Sequence, residues 1–385
     1  MDQRIRIGII YSYDENWIGG TYYYQNLIQS LNLLPDDEKP FIVILSNAAA
    51  SFESIKLLHY PYISYQLINQ THSLSQRVSN KLKRIFVKNW VYQSAKINFD
   101  IDVLFQPSEI NLPNTIKKHL YWIPDFQELH LPHLFSQEYL AYRKQSQEAI
   151  LGSTHHILFS SEDAKSDFKR LYPTAMSHCY VVNFAVFHPD YLSYVKTELG
   201  QKYQIDMNVP FFFSPNQFWK HKNHIVLLQA LKMIKETTHY NFQILFSGKE
   251  FDPRNPTYFE EIKEYVIENN LNDCVRFLGF IDRGEQLFFM KNAVAVIQPS
   301  LFEGWSSVVE DAKAMNQNLI VSNLRVHKEQ LGDQAFYFDP LDPKQLASQI
   351  ILFLEKKINL PQFNYEQNLS LFGKNFMNVV LNLKS

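Results

Sequence analysis

Residues 293–314 read AVAVIQPSLFEGWSSVVEDAKA. The run from Ala293 to Gln298 is apolar enough to be a strand buried on both faces. The chain then turns at Glu303-Gly304, and a helix starts near Ser306-Ser307 and runs to about Met315. Strand, loop and helix in that order make half of a right-handed crossover, which points to a parallel sheet. A helix start leaves backbone N–H groups unpaired and carries partial positive charge, so it suits a diphosphate. Glu303 precedes this start, and Gly304, Trp305, Ser306, Ser307 and Val308 build it. Glu310 lies about one turn in, with Asp311 adjacent but rotated by about 100°. Carboxylates on both sides of an anion-binding helix start suit the polyols that flank a diphosphate, a sugar on one side and a ribose on the other.

The same alternation continues outward. Towards the C-terminus come strands at 319–322 and 335–338, then a helical stretch at 365–383. Towards the N-terminus, strands at 210–214, 242–246 and 275–278 alternate with helices at 223–237, 258–269 and 285–292. A second series occupies the first half, with strands at 5–11, 41–45, 102–105, 120–123 and 157–160 and helices at 21–31 and 51–58. Two such series predict an α/β protein of two Rossmann-like, doubly wound domains facing across a cleft. The expected boundaries are 1–195 for the first domain, 196–364 for the second, and 365–385 for a C-terminal helix. Open parallel sheets bind ligands outside the carboxyl ends of their strands, so the loops that follow strands are where chemistry is sought. No GxGxxG follows the first strand and no GxxxxGK[ST] occurs, which argues against a dinucleotide oxidoreductase and a P-loop enzyme.

Composition agrees. The chain has 385 residues, 46% hydrophobic and 20% charged, which is a globular make-up long enough for two cores. A net charge of −2 lacks the cationic excess of a nucleic-acid binder. Cys179 and Cys274 stand far apart with no ligand spacing, which excludes a zinc ribbon or disulfide framework. The apolar run Ile7–Tyr11 is too short for a signal peptide and no run of 18 apolar residues occurs, so a cytoplasmic protein is expected.

Other strand-following loops carry polar groups. Asn216, Gln217, Lys220 and Lys222 lie in SPNQFWKHKNH (214–224), Gly248 and Lys249 follow the next strand, and Phe280 and Ile281 the one after. In the first half, Gly19 and Gly20 sit in WIGGT (17–21), and Asp125 in YWIPDFQ (121–127). Asp125 before a helix also fits an N-cap, as do Ser160 and Ser161. Taken together, PSLFEGW, the Lys222 loop and the glycine loop resemble GT-B glycosyltransferases, specifically family 4.

The resemblance covers nearly the whole chain, most strongly 207–340; it implies that the C-terminal helix 365–385 crosses back to pack on the N-terminal domain, and it implies roles. Glu303 takes the place of the acid that touches donor-sugar hydroxyls. The ribose-binding acid falls on Asp311 by strict spacing and on Glu310 by context, the latter being preferred because Val308-Val309 precede it. Lys222 takes the place of a diphosphate-binding lysine. Gln217 stands where the family has an arginine, and Lys220 is the candidate to supply the missing charge. Asn216, Gly248 and Lys249 belong to the donor loops, Phe280 and Ile281 to the base, and Gly19 and Gly20 to a close backbone approach. Asp125 stands beside the reacting sugar and acceptor. The implied reaction is retaining transfer from a nucleotide-diphosphate sugar to a glycan or lipid-linked acceptor, with Asp125, Glu303 and Lys222 as catalytic residues, no cofactor, and no metal since no DxD is placed to hold one. The competing readings are a sugar phosphorylase, a nucleotide-sugar epimerase, or a non-catalytic subunit with a decayed site. A basic, apolar-interleaved stretch at 77–96 would, as a helix, suit peripheral contact with a membrane face.

Overall fold

The computed structural model describes residues 4–14, 17–68, 100–107, 116, 118–356 and 363–384. The stretch 77–96, with the membrane contact expected of it, lies outside the described residues. The chain divides into two compact units. One is Met1–Pro124, Ala141–Ala185 and Gln367–Ser385, the other Asp125–Leu140 and Val186–Glu366. The segment carrying Asp125 thus belongs with the second half of the chain.

The first unit is built on seven strands: β1 (Arg6–Ile10), β2 (Phe41–Ser46), β3 (Ile63–Leu67), β4 (Val103–Pro107), β5 (His119–Ile123), β6 (His156–Phe159) and β7 (His178–Val181). They form one parallel sheet in the order β3-β2-β1-β4-β5-β6-β7. The central strands are apolar on both faces because helices cover both. The edge strands are not: β3 (ISYQL) is half-exposed along its length and β7 (HCYV) nearly so, which is why neither shows an apolar run in the sequence. Helix α1 (Ile18–Asn32) follows β1. Gly19 and Gly20 lie in its first turn rather than in a loop. A Cβ on Gly20 would sit 2.5 Å from the Trp17 ring, and Trp17 stacks on Trp122 at 5.7 Å. The C-terminal helix Glu366–Lys384 closes this unit. Phe372 packs on Tyr23 at 5.5 Å and Phe376 on Phe105 at 5.1 Å. The approach is close because residue 373 is glycine: a Cβ there would lie 2.8 Å from the Ser30 backbone, and its N–H donates to Ser30 Oγ at 2.6 Å.

The second unit has six strands, β8 (Phe211–Pro215), β9 (Gln243–Ser247), β10 (Val275–Phe277), β11 (Val296–Gln298), β12 (Leu319–Ser322) and β13 (Phe336–Phe338), again parallel, in the order β10-β9-β8-β11-β12-β13. Alternation along the strands divides the core in two. Phe212, Ile244, Phe246, Ile297 and Ile320 face one cluster with residues of α2 (His224–Thr237) and helices 258–268 and 343–354. Phe211, Phe213, Leu245, Val296, Leu319 and Val321 face the other, with α3 (Arg283–Asn292) and α4 (Ser307–Ala314). Both units are therefore doubly wound α/β layers, as the alternation predicts. Helices 137–148, 196–203, 325–331 and 343–354 add to the expected elements. Among the described residues no helix is long and apolar enough to cross a membrane.

Candidate active site in the second unit

The loops leaving β8, β9, β10 and β11 lie at the carboxyl edge of the second sheet, where a doubly wound fold opens to ligands. Two backbone devices fix them. Asn223, in the left-handed region at φ 57°, sends its amide to Pro299 O at 3.0 Å and Pro340 O at 2.8 Å, and Leu301 N–H donates to His221 O at 2.8 Å. These bonds lock the 220–223 turn onto the loop that follows β11. Gly248, at φ 147°, lets the next loop nest beneath Asn216: a Cβ there would lie 2.3 Å from Asn216 O. Phe218 N–H then reaches Lys249 O at 3.0 Å, and Gly248 N–H reaches Gly279 O at 2.9 Å.

That framework brings Lys222 and Glu303 together. Lys222 Nζ donates to Glu303 Oε1 at 2.7 Å, and the side chains are only 17% and 9% exposed. The same oxygen accepts from Gln298 Nε2 and Ser300 Oγ, each at 2.6 Å. Burial alone would raise the Glu303 carboxyl, but the charge and hydrogen bond of Lys222 hold it below its usual range. Glu303 is therefore a fixed anion whose Oε2 stays clear of these bonds. Asp125 joins this group. Burial, with the Glu303 charge adding to it, raises its carboxyl above the usual range against Lys222 and Arg254. Its Oδ1 also accepts from Gln127 N–H at 3.1 Å, so the capping role and the place in the cluster coexist. His327 is fully buried. Its Nδ1 is 2.8 Å from Ser322 O, Nε2 has no protein partner, and burial keeps the ring neutral.

Beside Glu303 begins α4. Ser306 caps it by accepting from Val309 N–H at 3.4 Å, and Gln330 clamps the cap, accepting from Ser306 N–H and donating to Ser306 O, both at 3.1 Å. Helix geometry leaves the first-turn N–H groups of Ser307 and Val308 without intrahelical acceptors. Further along, the two candidate acids separate. Glu310 is saturated: Oε1 accepts from Lys313 (2.9 Å) and Gln330 (3.1 Å), and Oε2 from the Tyr365 hydroxyl (2.7 Å). Asp311 Oδ1 is held by Arg283 and by His188 at 3.1 Å, while its Oδ2 is buried without a partner.

The remaining predicted residues divide plainly. Lys220 is exposed, with its N–H 3.4 Å from Asp252 Oδ2. Phe280 is 52% exposed, open to a stacking partner, whereas Ile281 packs against the core. Gly304 and Trp305 lie between Glu303 and the α4 cap. Gly19 and Gly20 belong to the other unit. Sequence reading missed Gln298, Ser300, Arg254, Arg283 and His327. Gln298 and Ser300 lie inside the quoted motif and were legible as polar residues at a buried strand end, but the other three are recruited only by folding. Among the described residues no three or more His, Cys, Asp or Glu side chains are grouped to hold a metal ion.

In fold the chain is similar to GT-B glycosyltransferases, and part of its sequence resembles the group 1 enzymes. Residues 195–370 match the family model described as Glycosyl transferases group 1. The chain is 22% identical over 331 residues to the O-antigen chain mannosyltransferase RfbU of Salmonella typhimurium, covering 86% of each protein. It is 20% identical over 258 residues to the O-antigen chain mannosyltransferase B of Escherichia coli, covering 66% of each. Its fold matches that of Anabaena Alr3699/HepE in complex with UDP and glucose, with a TM-score of 0.62 at 14% identity over 98% of this chain and 95% of that one.

Proposed function

We propose that the chain transfers a hexosyl residue from a nucleotide-diphosphate sugar to a glycan or lipid-linked acceptor, with retention and without a metal, in the synthesis of an O-antigen-type polysaccharide. The observation that carries this reading is the 2.7 Å Lys222–Glu303 pair beside the unpaired N–H groups of α4. A diphosphate accepts from those N–H groups and from Lys222, which stabilise the charge that grows on the leaving group. Glu303 Oε2 then receives donor-sugar hydroxyls while Oε1 stays anchored. Glu310 is fully engaged by its neighbours, so the ribose falls to Asp311, as strict spacing has it and against the contextual preference for Glu310. Asp125 orients the acceptor hydroxyl or takes its proton. The mannosyltransferase names of the two relatives support a mannosyl donor and a glycan acceptor. The decayed-subunit reading is not favoured, because Lys222, Glu303, Gln298 and Ser300 form a complete set of partners.

The test is ligand-induced thermal shift with UDP-, GDP-, ADP- and dTDP-sugars on the full chain. One nucleotide class should raise the melting temperature, and Glu303→Ala and Lys222→Ala should abolish that rise. Asp311→Asn should weaken it, whereas Glu310→Gln should alter baseline stability more than the rise. Stabilisation that survives in Glu303→Ala and Lys222→Ala would remove the site from this loop pair.

A further inference from the structure

Arg254 is a cation that the reaction above does not use, and it is held with unusual care. It lies in the loop after β9. Its backbone N–H and Nε donate to Asp252 Oδ1 at 3.0 and 3.1 Å, and Nη1 donates to Gln127 Oε1 at 3.2 Å. The rings of Trp219 and Phe135 lie 5.0 and 5.1 Å from the guanidinium carbon. Asp252 is itself fixed: its side chain is wholly buried, and its Oδ2 accepts from Asn255 Nδ2 at 3.3 Å and Lys220 N–H at 3.4 Å. These contacts engage Nε, Nη1 and the plane of the guanidinium. The remaining nitrogen, Nη2, is buried and donates to nothing in the protein. A buried guanidinium nitrogen without an acceptor is costly unless something else accepts from it. The charge is also felt at the site, because it lowers the proton affinity of both Asp125 and His221. Lys222 Nζ is tied to Glu303, and Lys220 is exposed to solvent. Arg254 is therefore the oriented cation of this edge that keeps a donor nitrogen, Nη2, unspent.

We propose that Arg254 Nη2 binds a phosphate oxyanion of the substrate, making Arg254 rather than Lys220 the second cation of the site. A planar, always-charged guanidinium held in place with Nη2 unspent matches a phosphate oxygen better than a flexible ammonium does. The oxyanion belongs either to the donor diphosphate or to a phosphate on a lipid-linked acceptor. The inference rests on the transferase reading but is tested apart from it. Inorganic pyrophosphate, nucleoside diphosphates and nucleotide sugars are titrated calorimetrically into the full-length wild type, Arg254→Gln and Arg254→Lys. Acceptor KM is measured with phosphorylated and phosphate-free acceptors, and thermal melts establish that each variant is folded. Loss of one charge-assisted hydrogen bond predicts roughly tenfold weaker binding in Arg254→Gln, with Arg254→Lys in between. Weakening confined to pyrophosphate and nucleotides assigns the donor. A rise in KM confined to the phosphorylated acceptor assigns the acceptor. Unchanged pyrophosphate affinity together with unchanged acceptor KM in folded Arg254→Gln overturns the proposal, whether or not nucleotide sugars bind. Arg254-dependent pyrophosphate binding in a protein that ignores every nucleotide sugar would keep Arg254 as an oxyanion site and overturn the donor reading instead.

Discussion

Glu303 and Asp125 are two carboxylates in one cluster that the protein drives in opposite directions. Lys222 holds Glu303 ionised, while enclosure and the Glu303 charge hold Asp125 towards its neutral form. Paired acids with divergent environments mark different roles. If Asp125 must be ionised to engage the acceptor hydroxyl, kcat/KM should fall as pH drops through a pKa above the ordinary aspartate range of about 4. A pH–rate profile should show that acid limb in the wild type, and Asp125→Asn should lose it along with roughly 10²- to 10⁴-fold in rate. Because a raised folded-state pKa costs stability above the unfolded value, the same variant should be no less stable than wild type at neutral pH. An unchanged acid limb in Asp125→Asn would take Asp125 out of the chemistry. At this scale the sequence is legible where a role is local: Glu303, Gly304 and Ser306 are read from one string. Arg254 and His327 are not legible, since Gln127 and Trp219 reach Arg254, and Glu303 reaches His327, only through the folded sheet.

Elements were read well where burial is two-sided and poorly at edges. The central strands β1, β2, β8 and β9 announce themselves as apolar runs. β3 and β7 do not, because an edge strand half-open to solvent carries the mixed residues of ISYQL and HCYV. Helix 137–148 (QEYLAYRKQSQE) buries only Arg143 and Gln147, so it has no apolar stripe to find. Helix 343–354 did carry a signal in Asp342, whose carboxylate accepts from Lys344 and Gln345 N–H at 2.9 and 3.2 Å, followed by Pro343 at the first position. The Gly248 turn shows how a loop element sustains the site. Gly248→Ala meets both an unfavourable φ of 147° and the Asn216 carbonyl, so it should destabilise the protein by about 1–3 kcal/mol or more. Denaturant melts measure this loss, and a Gly248→Ala protein as stable as wild type would refute the close-approach account of that loop.

At the scale of the molecule, repeated strand–helix alternation made two doubly wound units legible, because parallel sheets need crossover helices and each such pair leaves its periodicity in the chain. The C-terminal helix was legible as a helix without a strand, and its seat is explained by Gly373 against Ser30 and by Phe372 and Phe376 against the first unit's aromatic core. Chain order did not reveal that Asp125–Leu140 groups with the later half, because that grouping depends on tertiary contacts such as Arg254–Gln127. The decisive measurement is transfer itself. The full chain is incubated with a nucleotide-diphosphate mannose and a lipid-linked glycan, while nucleoside diphosphate release and the anomeric configuration of the product are followed by NMR. Nucleoside diphosphate should form one-for-one with a glycosylated product that keeps the donor's configuration, at a rate reduced roughly 10²- to 10³-fold in Lys222→Ala. An inverted product, or transfer at wild-type rate in Lys222→Ala, would contradict this.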